Sequence, residues 1–491
     1  DNTGVIGLDD FDSSWGIWGH NLRKVLGANT EKVYATINGK ANDSQLCFSS
    51  GEMFRLIESY ITDNFGEKGK FRFVIAPDDT PYACTCPSCT AIGNTEKNAT
   101  PAVTELILRL SQRFPRHFFF TTSYLTTQQV TDKQLPPNAG VIVSAINFPL
   151  RRIDGKDAKE KAFAGQLEQW KNVTKNIYIW DYINNFDDYL TPMPILKIAR
   201  QRLQFFKQHG ASGIFFNGSG YSYSSFDEMR TFVLSALLIN PELSVDNLTA
   251  SFFNQEYPAA KKWLYDYYTD LENGTQSGKR LGIYASIRES EKAYLTPEKF
   301  IKFYDEMNDF VSNAKGKERK KLHELQTALS YTRMEMGREH SFDAYGYAKR
   351  NGKSLQPIPQ VQEWLTQLKE HKAFTGMEYY NESSDEIGNY IKEWEEYIFA
   401  SDLKKNLFLG VTPSVIPQAY KSHIKKLTDG THGLPGNYHC GWVIIPEEEC
   451  TINLPVKGIN TSGTIYISFL NLPRHRFYTP QQIELLKYGC L

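Results

Sequence analysis

The segment FRFVIAPDDTPYACTCPSC, residues Phe71–Cys89, decides the predicted fold of this chain. It opens with an aromatic and β-branched run that predicts a strand, and Pro77 ends that run. Two adjacent acids, Asp78 and Asp79, follow at once. Where a strand of an α/β sheet ends, its side chains leave the packed sheet for a crevice that binds ligands. The segment therefore predicts a strand whose end presents a carboxylate pair suited to acid/base chemistry.

Similar apolar runs recur up to about residue 270 and alternate with helix-like stretches. The strand-like runs are Lys32–Ile37, Phe71–Ala76, His117–Tyr124, Gly140–Ile146, Asn176–Trp180 and Gly213–Asn217, with Val5–Leu8 as a weaker seventh. The helix-like stretches include Glu52–Asn64, Ala102–Arg113 and Leu196–His209. This alternation predicts βαβ units and a parallel sheet, hence an α/β fold. The length of the alternating region favours a (β/α)8 TIM-type barrel. Only six strands are clear, so the predicted barrel is incomplete or irregular. An open doubly wound sheet is the alternative.

The chain is too long for one core, and its pattern changes twice. We predict a TIM-barrel-like catalytic domain over 1–275, a helical domain over 276–405 and a β-sandwich over 406–491. The helical domain is predicted from four amphipathic stretches, Pro297–Ala314, Lys317–Arg338, Val361–Lys372 and Asp385–Ala400. The sandwich is predicted from short strand-like runs between Gly and Pro turns, namely Trp442–Ile445, Cys450–Leu454 and Thr464–Leu470.

Composition narrows the class of partner. The chain has 55 basic and 56 acidic residues, a balance that gives no electrostatic footprint for nucleic acid. No apolar stretch approaches the roughly 20 residues of a membrane span. Aromatic residues make up 13% of the chain, which favours a carbohydrate partner because aromatic faces stack on sugar rings, although aromatic side chains also fill cores.

Asp78 and Asp79 are the candidate catalytic residues. Cleavage of a glycosidic bond needs one group that protonates the leaving oxygen and a second that stabilises or traps the oxocarbenium-like centre. Neighbours on a regular strand point to opposite faces, so both acids reach one site only if the strand breaks at Pro77. The alternative is a turn or a helix cap built from aspartate side chains.

Polar and aromatic residues near other strand ends are candidates for sugar binding. This set comprises His20, Tyr124, Asn147, Trp180, Asp181, Tyr182 and Asn217. Asp181 is placed to accept hydrogen bonds from sugar hydroxyls while a flanking aromatic ring covers a sugar face. The alternatives are ordinary polar loops and strand caps, and for His20 a buried, satisfied histidine.

Three cysteines, Cys84, Cys86 and Cys89, stand close together in the loop after the two acids. Three thiols at this spacing resemble part of a structural zinc site, which needs a fourth ligand such as Cys47 or a histidine. A disulfide within the loop or to Cys47 is the alternative. A catalytic thiol is disfavoured because no histidine adjoins the cysteines in sequence. Beyond this ion we expect no cofactor.

These motifs resemble a family of glycoside-hydrolase-like bacterial proteins that is classed as a domain of unknown function. The resemblance covers about residues 14–270 and rests on Trp18-Gly19-His20, Gln45-Leu46-Cys47, Pro77-Asp78-Asp79 with Cys84-x-Cys86-x2-Cys89, Trp180-Asp181-Tyr182 and Gly213-Ile214-Phe215. It implies a TIM-type barrel in a periplasmic, cell-surface or secreted protein. Longer members carry an N-terminal domain and first barrel strands that precede the Trp-Gly-His segment, so the resemblance implies an incomplete barrel here.

A weaker similarity links the chain to O-GlcNAcase-type β-N-acetylhexosaminidases. It implies that Asp78 orients the substrate's acetamido group, which attacks the anomeric carbon, while Asp79 serves as general acid and base. Asp181 then matches a sugar-hydroxyl ligand, although Tyr182 stands where that family has asparagine. The segment Leu427–Gly430 with Gly441-Trp442 is similar to the start of a discoidin-like carbohydrate-binding sandwich.

The sequence thus predicts a glycoside hydrolase acting on glycans, in the narrower form a retaining β-N-acetylhexosaminidase with substrate assistance. Two alternatives stay open at this point. The first is a non-catalytic carbohydrate-binding protein on a barrel scaffold. The second is a metal-dependent hydrolase that uses the cysteine cluster.

Overall fold

The computed structural model describes residues 12–220, 222–399, 408–416, 424–445, 450–455, 467–473 and 476–484. Its strands are β1 (Trp15–Ile17), β2 (Tyr34–Ile37), β3 (Lys40–Leu46), β4 (Arg72–Val74), β5 (Phe118–Ser123), β6 (Ala139–Ser144), β7 (Ile177–Tyr182), β8 (Gly213–Asn217), β9 (Ala348–Asn351), β10 (Ser354–Pro357), β11 (Ser414–Ile416) and β12 (Thr451–Asn453). Its α-helices are α1 (Leu22–Leu26), α2 (Gly51–Phe65), α3 (Pro87–Ile92), α4 (Thr100–Arg113), α5 (Ala158–Lys171), α6 (Leu196–Gln208), α7 (Asp227–Ile239), α8 (Val245–Glu256), α9 (Lys261–Thr275), α10 (Ile287–Ala293), α11 (Pro297–Asn313), α12 (Gly316–His340), α13 (Gln360–Thr375) and α14 (Ile387–Glu393).

Six strands form one parallel sheet in the order β1-β4-β5-β6-β7-β8. The predicted α/β class and parallel sheet are therefore confirmed. Helices α2, α4, α5 and α6 cover the outer face of the sheet, where their apolar residues pack in two buried clusters. In α2 these are Met53, Ile57 and Ile61, spaced by four residues as one face of a helix requires.

The sheet is curled like part of a barrel, and its inner face is lined with aromatic rings. The Trp18 ring, just after β1, stacks on Trp180 of β7 with 5.1 Å between ring centroids. In a flat sheet, four spacings of about 4.8 Å would separate these two strands by roughly 19 Å. Stacking across that span requires strong curvature, so the six strands form a half-barrel.

Two strand predictions need correction. The run Lys32–Ile37 lies outside the parallel sheet, because β2 pairs antiparallel with β3. Asn38 and Gly39 join these strands with φ values of 52° and 73°, the left-handed backbone that a two-residue hairpin turn requires. The first strand of the sheet is instead β1, at Trp15–Ile17. The weaker run Val5–Leu8 lies outside the described residues.

The four predicted helices of the second region are present as α11, α12, α13 and α14, and a π-helical turn at Trp394–Phe399 continues α14. They pack in a large apolar core that also takes in α6–α9. This core contains residues on both sides of position 275. The domain boundaries stay predictions.

Of the predicted C-terminal strands, the described residues contain β12, which pairs antiparallel with β11. Residues 442–445 form no strand; the Trp442 indole N–H instead donates to the carbonyls of Leu434 and Asn437, each at 3.1 Å. The run Thr464–Leu470 falls partly outside the described residues. Among the described helices, none combines the length and apolar character needed to cross a bilayer.

Candidate active site

Strand alternation decides which side chains reach the interior of the half-barrel. On β7 the residues Tyr178 and Trp180 line the inner aromatic layer, while Ile177 and Ile179 pack outward. The period of two therefore places Tyr182 on the inner face and its neighbour Asp181 on the outer face. The same period continues from Phe118 and Phe120 of β5 to Tyr124, whose backbone is still extended, and it turns Ser144 of β6 and Asn217 of β8 inward. We call the end of the half-barrel lined by Tyr124, Ser144, Tyr182 and Asn217 the rim.

Asp79 joins this rim. Its side chain is exposed and lies beside the Tyr124 hydroxyl. Burial, the charge of Asp79 and hydrogen bonding to Asp79 together raise the pKa of Tyr124. Burial, with smaller contributions from Asp181 and Asp79, raises the pKa of Tyr182 to about 12. Tyr124 is thus a hydrogen-bond donor beside the Asp79 carboxylate, whereas the Tyr182 hydroxyl lies 3.3 Å from the Ser144 hydroxyl.

Asp78 points elsewhere. Its carboxylate oxygen Oδ2 accepts a hydrogen bond from Arg23 Nε at 2.7 Å. Its backbone is fixed by Gln45, whose side chain accepts from the Asp78 N–H at 3.1 Å and donates to the Asp78 carbonyl at 3.2 Å. The strand does end before Pro77, as predicted, yet the two acids have different partners and do not form one shared carboxylate dyad.

His20 lies at the same rim as Tyr124, with 6.1 Å between the two ring centroids. Its Nδ1 is 2.5 Å from the carbonyl oxygen of Pro77, next to the acids. Asn217 is in register with Tyr182 on the neighbouring strand. His20 thus lies next to the two acids, and Asn217 lies beside Tyr182 on the last strand of the sheet. Asn147 is exposed in the loop after β6.

Asp181 and Trp180 are engaged by the protein itself. The Asp181 carboxylate is buried and accepts Arg202 Nε at 2.9 Å and Arg202 Nη2 at 2.5 Å; each side chain of this pair is 1% exposed. This placement therefore does not offer the predicted contact between Asp181 and sugar hydroxyls. Odd-numbered positions of β7 face helix α6, which covers the sheet, and not the interior of the half-barrel. The Trp180 ring is stacked on Trp18 and belongs to the layer beneath the rim.

A carboxylate that sequence reasoning missed, Glu382, also belongs to this rim. It lies in the loop between α13 and α14, and its backbone N–H donates to the Phe186 carbonyl at 2.8 Å. Burial raises the pKa of Glu382, and the negative charges of Asp187 and Asp79 add to the effect. Hydrogen bonding to Tyr284 opposes it. The run Tyr379-Tyr380-Asn381-Glu382 combines aromatic, amide and acidic residues. Glu382 was not predicted as a site residue because this run does not follow a predicted strand.

The loop after β7 is braced by distant parts of the chain. The Asp187 carboxylate accepts hydrogen bonds from His439 Nε2 at 2.8 Å and from the Tyr438 hydroxyl. The Phe186 N–H donates to the Ile283 carbonyl at 2.7 Å. The helical region and the C-terminal segment therefore help to shape the rim that carries Asp79.

The cysteines of the loop after Asp79 do gather with a fourth thiol, and that thiol is Cys47. The Sγ atoms of Cys47, Cys84, Cys86 and Cys89 all lie within 4.8 Å of one another. Mutual hydrogen bonding, above all with Cys47, lowers the pKa of Cys84, and the same bonding raises the pKa of Cys47. The prediction of a four-ligand group that can hold a metal ion is confirmed.

Comparison with known proteins assigns this chain to a family. A model described as "Domain of unknown function (DUF4838)" matches residues 22–270, about half of the chain. No curated protein matches the sequence. Among solved structures, a mutant O-GlcNAc hydrolase of Thermobaculum terrenum is similar at 14% identity and a TM-score of 0.33, covering 73% of this chain and 77% of that one. A GH138 enzyme targeting pectin rhamnogalacturonan II is similar at 10% identity and a TM-score of 0.31, covering 74% of this chain and 60% of that one.

Proposed function

This chain belongs to the family described as a domain of unknown function (DUF4838), and that description names no reaction. From the residues of the chain itself we propose that the protein is a glycoside hydrolase acting on glycans. The observation that carries the proposal is that Asp79 and Glu382 both act electrostatically on Tyr124 and Tyr182 of the rim. The two acids come from different regions of the chain and lie within each other's electrostatic range.

Their surroundings suit the two carboxylates to different roles. Burial raises the pKa of Glu382, so this residue is fitted to hold a proton and deliver it to the leaving oxygen. Asp79 is exposed and lies beside the protonated Tyr124 hydroxyl, so it is fitted to the role that needs negative charge, as nucleophile or as base for a water. Such pairs of titratable groups in contrasting environments are typical of acid/base catalysis.

The remaining rim residues position the sugar in this proposal. His20, Tyr124, Tyr182 and Asn217 offer donors and acceptors along the rim that also carries Asp79. Trp180 and Asp181 support the rim from within the protein. The proposal places the protein in the periplasm, at the cell surface or in the medium, and treats the half-barrel as part of a TIM-type barrel with a C-terminal carbohydrate-binding sandwich.

The narrower form of the proposal is a retaining β-N-acetylhexosaminidase with substrate assistance. In this form the acetamido group of the substrate is the nucleophile, Asp78 orients it, and Asp79 takes the place of Glu382 as general acid and base. The support is that Arg23 and Gln45 hold Asp78 in a fixed orientation next to Asp79, as an orienting carboxylate requires. A higher kcat/KM for aryl N-acetylhexosaminides than for the matching aryl hexosides favours this form, and the reverse order excludes it.

A screen of the full-length protein over aryl glycosides, run beside a glycan array, tests the function. Cleavage of any sugar supports the hydrolase. Binding on the array without turnover of any glycoside or glycan overturns it in favour of the second candidate, a non-catalytic carbohydrate-binding protein. The ion pair between Asp78 and Arg23 favours that candidate, because it engages the carboxylate of one of the two acids predicted to be catalytic.

We expect the pH profile of kcat/KM to fall at its basic side with the ionisation of Glu382. The acid form is active, so activity is present below the pKa of Glu382 and is lost as the pH rises through it. Burial places that pKa above the ordinary value of 4.5, and the basic limb lies correspondingly higher. Glu382→Gln removes this limb from the residual activity, measured by initial rates over the pH range.

The matched control for that experiment is Glu378→Gln, which changes an exposed glutamate on the same connection and leaves the profile unchanged. A Glu382→Gln enzyme that retains the wild-type basic limb contradicts the assignment of Glu382 as proton donor.

A further inference from the structure

The four-cysteine cluster has the dimensions of a tetrahedral metal site. The Cys47 Sγ atom is 3.7 Å from Cys86 Sγ and 3.8 Å from Cys89 Sγ. A tetrahedral zinc ion with Zn–S bonds of about 2.3 Å holds its sulfur ligands about 3.8 Å apart. A disulfide requires about 2.0 Å between the sulfur atoms. The observed separations therefore match four ligands around one ion and not a pair of covalently joined thiols.

Groups around the sulfur atoms are placed to stabilise the negative charge of thiolates. The Thr36 backbone N–H donates to Cys84 Sγ at 3.2 Å, and the Cys89 N–H donates to Cys86 Sγ at 3.4 Å, at the start of α3. The Ser49 hydroxyl lies 3.0 Å from Cys89 Sγ. Hydrogen bonds of this kind to the ligand atoms orient the ligands and tune the bound ion.

We propose that Cys47, Cys84, Cys86 and Cys89 bind one zinc ion and that this ion clamps the loop carrying Asp78 and Asp79. Four sulfur ligands within 4.8 Å of one another leave space for a single ion. Soft thiolates in a tetrahedral set select zinc among the common divalent ions. With all four positions filled by protein, the ion has no open position for a substrate or a water, so its role is structural and the idea of a metal-dependent hydrolase is not supported.

The position of the ligands in the chain explains the clamp. Cys47 lies two residues beyond Gln45, the residue that binds both backbone groups of Asp78. Cys84 lies shortly after the acids, and the Gln45 side chain also donates to the Thr80 hydroxyl at 3.1 Å. One ion thus ties the segment before the loop to the segment after it, and the two acids lie between the tied ends. This inference does not rest on the proposed reaction.

The experiment measures metal in the full-length protein purified without chelator. We expect about one zinc ion per chain by elemental analysis, and a cobalt(II)-substituted protein with the intense visible bands of tetrahedral thiolate coordination. Cys47→Ser is expected to lower the zinc content well below stoichiometric. Cys450→Ser is the matched control, because Cys450 is a thiol outside the cluster, and it keeps the wild-type content.

Chelation of the wild-type protein gives a second readout that needs no variant to fold. Removal of zinc is expected to expose four additional reactive thiols and to speed amide hydrogen exchange in peptides covering residues 75–99. Adding zinc back restores protection. Two results overturn the proposal: a reduced protein that neither contains zinc nor takes it up from a coloured chelator complex, or peptide mapping that finds these cysteines joined as disulfides. Either result leaves the test of glycoside cleavage unaffected.

Discussion

Asp79→Asn is expected to lower kcat on any cleaved glycoside by about 10²–10⁴-fold, because on the proposed mechanism the substitution removes the charge that acts at the anomeric centre or activates the attacking water. The amide keeps the size of the side chain. Since Asp79 is exposed, we expect the free energy of unfolding to stay within about 0.5 kcal/mol of the wild type. Steady-state kinetics and urea unfolding of the same preparation measure the two effects separately.

The control for this prediction is Asp63→Asn, an equivalent change at an exposed aspartate of α2. It leaves both kcat and stability unchanged. An Asp79→Asn enzyme with a wild-type rate on a real substrate would remove Asp79 from the catalytic machinery, even if the protein proves to be a hydrolase.

Asp181→Ala, in contrast to Asp79→Asn, is expected to affect stability, lowering the free energy of unfolding by about 3–5 kcal/mol. The substitution leaves the Arg202 guanidinium buried without its counter-charge; among the described residues the Phe148 and Pro149 carbonyls remain as acceptors at 3.3 and 2.9 Å. The free energy of unfolding from urea titration measures the loss. The double change Asp181→Ala with Arg202→Met is expected to recover part of it, because both buried charges are then gone.

An exposed ion pair supplies the comparison. Asp266→Ala breaks the pair between Lys262 and Asp266 on α9 and is expected to leave the unfolding curve unchanged. If Asp181→Ala instead raised KM for a sugar and left stability intact, Asp181 would be a sugar ligand and its buried placement would be wrong.

The strands that were predicted well are those buried on both faces. The run Gly140–Ile146 is an almost continuous apolar sequence, because one face of its strand packs on helices and the other on the inner aromatic layer. β1 escaped notice because three residues are too few for a pattern. The run Lys32–Ile37 was misplaced because its apolar character does not reveal whether it pairs with the sheet or, through Asn38-Gly39, with the next strand.

The site was predicted in part for a related reason. Residues at strand ends, such as Asp79, Tyr124 and Tyr182, could be predicted to lie at one edge because the carboxyl edge of a parallel sheet gathers them; their role in binding or catalysis stays a prediction. Asp181 was assigned to the wrong face, although the period of two gives Tyr182 and Asp181 opposite directions. Glu382 had no local signal, since its place at the rim depends on how a loop between two helices packs on the loop after β7.

The distance along the chain between Asp79 and Glu382, about 300 residues, has a consequence during synthesis. At roughly 5–20 residues per second a ribosome takes about 15–60 s to make that stretch. Over this interval the emerging polypeptide already carries its first acid but lacks the second. On the proposed function, a nascent chain of this protein therefore lacks its proton donor until the helical region has been made and has docked.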